Sequence, residues 1–152
     1  MSLKEKLQND LTDAMRARDE IRSSTIRMIL TSIKNEEVAG KEARELNDSE
    51  IITVLSREAK KRREAAEAFD QAGAKDRADQ ERAEGVVIGE YLPKQLTEDE
   101  IKSLIKAAVA ETGASTPAQM GLVMKSLQPK IAGKADGGLV SSLVKAALAG
   151  GN

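Results

Sequence analysis

The chain has 152 residues, with 24 Lys and Arg against 25 Asp and Glu and a net charge of −1, so it is not a polycation that would gather nucleic acid by bulk charge alone. It contains neither cysteine nor histidine, which excludes disulfides, thiol nucleophiles and thiolate metal sites, together with the usual general base near neutral pH. One Tyr, one Phe and no Trp leave a core of aliphatic side chains, which suits close-packed helices better than strands.

The length allows one domain or two small ones. The first helix opens at the capping box Ser2-x-x-Glu5, and Leu3, Leu7, Leu11 and Met15 mark its apolar face. A break at Arg18-Asp19 leads to a second helix through Ile26, Ile29, Leu30 and Ile33, expected to close at Gly40. Asn47-x-x-Glu50 opens a long third helix through Ile51, Ile52, Leu55, Ala59, Ala66 and Phe69, with Gly73 at its end. A fourth helix is expected from about Ala74 to Tyr91. Its first half, AKDRADQERAEG, is so polar that only Val86-Val87-Ile88 is expected to be well buried.

Pro93 then stops the helix, and Thr97-x-x-Glu100 caps a new one carrying Ile101, Leu104, Ile105 and Val109, closed by Gly113. Thr116-Pro117, completed by Gln119, starts a further helix whose stripe of Met120, Val123 and Leu127 is expected to run until Pro129. Asp136 caps a last helix through Leu139, Val140, Leu143, Val144 and Leu148, ending at Gly150-Gly151. The expectation is an all-α fold. Residues 1–92 form an N-terminal helical bundle, and residues 93–152 form a small three-helix C-terminal domain.

No apolar run approaches the ~20 residues that cross a bilayer, and MSLKEKLQND is amphipathic rather than signal-like. A cytoplasmic protein without membrane association, metal or cofactor is therefore expected. Charge is unevenly spread: residues 1–92 hold 17 Lys and Arg against 20 Asp and Glu, whereas from Ile101 onward there are 6 lysines against 2 acids.

Two segments raise the question of chemistry. GKADGGLV (133–140) sets a lysine among glycines, but Gln128 stands where a phosphate-binding loop needs its first Gly, Ala135 where it needs Ser or Thr, and no strand leads in. Two readings stay open there. Asp136 caps a helix between turn glycines, or the helix start and Lys134, with Lys125 and Lys130 nearby, receive an anion such as a nucleic-acid phosphate. The basic run Arg57, Lys60, Lys61, Arg62, Arg63 is interleaved with Glu58, Glu64 and Glu67, and reads as a solvated face with the pairs Lys60–Glu64 and Arg63–Glu67. Ser23-Ser24 and Ser141-Ser142 have no base placed beside them, so no catalytic residue is assigned.

Three segments, YLPKQLTEDEI (91–101), MGLVM (120–124) and GKADGGLV, together with Asp19 through Ile33, resemble the GatB/YqeY family, in their order and spacing and over essentially the whole chain. The C-terminal part is similar to the tail domain of the B subunit of aspartyl/glutamyl-tRNA amidotransferase, which implies tRNA as a partner and, alternatively, docking on amidotransferase subunits or another helical protein. The family carries the label of carbon–nitrogen ligase with glutamine as amide donor, but the kinase-like core and the Ser-Ser-Lys glutaminase machinery have no counterpart here. The resemblance places Lys125, Lys130, Gly133, Lys134, Gly137 and Gly138, with the cap Asp136, in the segment that corresponds to the end of the tail.

Overall fold

A computed structural model describes residues 1–150, and every regular element among them is helical. In chain order these are α1 (Leu3–Arg16), α2 (Glu20–Glu37), α3 (Asp48–Gln71), α4 (Lys75–Gly89), α5 (Glu98–Thr112), a short 3-10 turn (Pro117–Gln119), α6 (Met120–Ile131) and α7 (Gly137–Ala149). The fold is all-α. The chain separates into two compact units, with the boundary between Leu92 and Pro93.

Helix starts follow local chemistry. Ser2 with Glu5, Asn47 with Glu50 and Thr97 with Glu100 each form a reciprocal capping box, so two otherwise orphan backbone N–H groups are satisfied at each start. Asp19 accepts from the Arg22 N–H and starts α2 directly after Arg18, whose φ of 58° turns the chain sharply. Gly113, at φ 70°, closes α5 in the left-handed region that a residue with a Cβ avoids.

In the first unit α3 packs along α4 and α1 against α2, with α2 also touching α3 and α4. Its core joins Leu7, Ile26, Ile29, Ile33, Ile51, Leu55 and Ile88, with the ring of Tyr91 at one margin. The second unit packs α5, α6 and α7 around Ile101, Ile105, Val123, Leu127, Val140 and Val144, a core with no aromatic ring.

Four local expectations are corrected. The second helix ends at Glu37 rather than Gly40: the Glu37 carbonyl accepts from the Arg44 N–H at 3.0 Å, and its buried carboxylate holds the Leu46 N–H and Lys4, so the 38–47 segment folds back over it. Pro129 does not stop α6, which continues to the buried Ile131 although proline leaves the Lys125 carbonyl without its helical donor. On α4, Val86 is 66% exposed whereas Ala78, in the polar half, is fully buried. On α1, the buried position is Ala14 rather than the half-exposed Met15. Gly150 caps α7, and Gly151, expected to end the helix with it, lies outside the described residues.

Candidate functional site

The GKADGGLV segment joins α6 to α7, so a helix leads into it and no strand does. Gly133 takes φ +73°, and the Lys134 N–H closes a turn onto the Ile131 carbonyl at 2.8 Å. The turn is tied to the segment ahead of α5. The Gln95 side-chain amide donates to the carbonyls of Pro93 and Gly133, both at 2.8 Å, and the Leu96 N–H donates to the Lys134 carbonyl at 2.8 Å. Asp136 accepts from the Gly138 N–H at 3.4 Å and caps α7, leaving Gly137 and Gly138 exposed at the helix start.

The lysines in question are exposed and differently aimed. Lys130 and Lys134 bracket the turn at Gly133. Lys125 lies about 7.5 Å further back along α6 and about 140° round its axis from Lys130. The loop therefore gathers Lys130, Gly133, Lys134 and the first turn of α7 at one end of the helical unit, while Lys125 faces another way.

Charge neutralisation distinguishes the two units. In the first, Lys4 pairs with Glu37, Lys6 with Asp10, Arg22 with Glu90, Arg44 with Glu50, Arg57 with Glu36 and Arg82 with Asp70. The basic run on α3 joins this pattern: Lys60 reaches Glu64 and Lys61 reaches Glu58, while Arg63 reaches no carboxylate among the described residues. Arg62 departs from the solvated face expected of this run. It lies largely buried between Glu58, Glu81 and Glu84, at 3.3, 3.6 and 3.3 Å, and clamps α4 to α3. Among the described residues of the second unit Lys102 pairs with Glu98, whereas Lys94, Lys106, Lys125, Lys130, Lys134 and Lys145 make no ion pair. Neither α6 nor α7 contains an acidic residue.

The titratable groups displaced from their ordinary values belong to structural networks. The Leu46 N–H, with Lys4, holds the Glu37 carboxyl below the usual range, and Arg44 does the same for Glu50. Burial pushes the Glu84 carboxyl up, with Glu81 adding to the effect. Burial also raises the Tyr91 phenol well above its ordinary value, and its O–H donates to Asp10 at 2.5 Å. All four of these groups belong to the first unit. No helix among the described residues is long and apolar enough to cross a membrane.

Sequence reasoning passed over one surface feature. Between α5 and α7 lies an open apolar groove of about 620 Å³, bordered by Lys102 and Lys106. It is built by residues of two helices far apart in sequence, so no local motif announces it.

Compared with known proteins, residues 4–148 match the family described as Yqey-like protein. Two relatives are named "Altered inheritance of mitochondria protein 41, mitochondrial". That of Lachancea thermotolerans is 29% identical over 147 residues, covering 93% of this chain and 76% of the relative. That of Clavispora lusitaniae is 30% identical over 129 residues, covering 83% and 74% respectively. These names overturn the expectation of a cytoplasmic protein. A chain without cysteine is indifferent to the redox state of its surroundings, so composition had no power to choose a compartment.

Proposed function

The chain belongs to the Yqey-like protein family, and from that membership we propose that it is a non-catalytic, tRNA-associated accessory protein, its second unit related to the tail domain of the amidotransferase B subunit. The observation that carries the reading is the set of unneutralised lysines on that unit, set against the extensively paired cations of the first. A lysine already paired with a carboxylate adds little to phosphate binding, whereas a free ammonium releases condensed counterions when it meets the RNA backbone. Lys130 and Lys134 at the fixed turn, with the exposed start of α7, form the leading edge of the contact. Lys125, about 140° round α6 from Lys130, lies off that edge and contributes through a separate phosphate.

Binding of this kind follows the phosphate backbone rather than base identity, because the second unit offers no aromatic ring for stacking. Asp136 opposes an anion at the α7 start, so the contact is electrostatic, modest and steeply salt-dependent. The test is gel retardation of total tRNA by the full chain at low and moderate salt. Retardation that fades with salt supports the reading, and none at tens of micromolar protein in low salt overturns it.

A further inference from the structure

The groove between α5 and α7 is apolar, open to solvent and about 620 Å³ in volume. Ile105 and Val109 of α5 and Leu143 and Ala147 of α7 form its apolar lining, and exposed Lys102 and Lys106 stand one turn apart at its α5 side. Lys106 makes no ion pair among the described residues, and the Lys102–Glu98 pair at 3.4 Å is exposed and therefore exchanges at little cost. No acidic side chain lines the groove, and α7 contains none.

From Lys102 to Ala110 the lined stretch of α5 covers about 12 Å of helix. An amphipathic helix places anchors at i, i+3 and i+7 over about 10.5 Å. The lining residues would meet those anchors, and two carboxylates one turn apart on the partner would meet Lys102 and Lys106. A second copy of this chain is a poor occupant, because each of α1 to α7 already buries apolar residues in its own unit.

We infer that this groove is a docking site for an acidic amphipathic helix of another protein. The apolar floor supplies the association, and the two lysines set which helix is accepted. The inference does not depend on RNA binding.

The test uses the full chain and a fluorescein-labelled synthetic helical peptide with leucines at i, i+3 and i+7 and glutamates four residues apart beside them, followed by anisotropy. Saturable binding is expected. Lys102→Glu with Lys106→Glu should weaken it by roughly tenfold or more, since like charges then face each other. Ala146→Trp, which fills the groove from an exposed position, should abolish it while circular dichroism stays that of the parent. A peptide with lysines in place of the glutamates should not bind.

Equal binding of both peptides, binding of an acidic peptide without leucines, or indifference to both variants would overturn the inference. So would displacement of the peptide by tRNA, which would make the groove a nucleic-acid surface. A concentration-dependent dimer, seen by light scattering and dissolved by Ala146→Trp, would assign the groove to a second copy instead.

Discussion

Gln95 and Gly133, 38 residues apart in sequence, are joined by a 2.8 Å hydrogen bond in which the side-chain amide of the first donates to the carbonyl of the second. The same amide donates to Pro93, and the neighbouring Leu96 N–H donates to Lys134, so two of the segments that carry the family resemblance close on each other. Their glycine and glutamine are needed for the shape of one turn, and that turn sets where Lys130 and Lys134 stand.

Gly133 should not tolerate a Cβ. At φ +73° the change Gly133→Ala should cost about 1–2 kcal/mol. Chemical denaturation followed by circular dichroism should show the loss, and Gln95→Ala should move amide signals around 133–136 while leaving those of α1 to α3 unchanged.

Each unit has its own core, so the two are proposed to unfold as separate cooperative bodies. Leu127→Ala removes a fully buried side chain and should cost the second unit roughly 2–5 kcal/mol. Native-state amide exchange should then accelerate in α5, α6 and α7 and remain slow in α2 and α3. Uniform acceleration throughout the chain would contradict separate cooperativity.

Tyr91 is the sole tyrosine and there is no tryptophan, so ultraviolet titration near 295 nm reads one group. Its phenol is raised above the ordinary 10.0, first by burial and then by Asp10. A raised folded pKa means that this contribution to stability is complete below pH 10 and is lost as pH climbs through the folded value. No phenolate step should appear at pH 10 in the native protein. Asp10→Asn should bring the step part of the way back, and Tyr91→Phe should cost about 1 kcal/mol for the lost hydrogen bond.

Glu37 gives the opposite limb. Its carboxyl is held below the ordinary 4.5 by the Leu46 N–H and by Lys4, so its contribution is present above pH 4.5 and disappears as pH falls through the lower folded value. Urea midpoints measured from pH 7 down to pH 3 should fall through that window. Glu37→Gln should lower the midpoint at pH 7 and flatten the acid limb, with the 38–47 segment losing exchange protection first.

Much of this architecture is written locally. Capping boxes act within four residues, so Ser2, Asn47 and Thr97 announce their helices without help from the rest of the chain. The misreadings have a different origin. Spacing of four drifts about 40° per step on a helix of 3.6 residues per turn, so Met15 lies about 120° from Leu3 while Ala14 lies about 20° from it. Gly40 has the chemistry of a helix stop, but Glu37 draws the chain back before it, and Pro129 that of a break, but α6 runs past it to the buried Ile131. The polar half of α4 is held by Arg62, a residue that charge patterning alone assigns to solvent. The lysines of the second unit were legible as a charge excess. Which of them lack a carboxylate partner depends on the three-dimensional arrangement, and so does the groove between α5 and α7.

The central claim rests on Lys125, Lys130 and Lys134, and the most direct measurement is the salt dependence of tRNA binding by the full chain and by the triple variant Lys125→Ala, Lys130→Ala, Lys134→Ala. Each lost phosphate contact lowers the slope of log K against log salt by roughly 0.7–0.9. The account predicts a slope shallower by about 2–3 in the variant, with weaker binding at every salt concentration. An unchanged slope and affinity in a folded variant, or no binding by the parent in low salt, would contradict it.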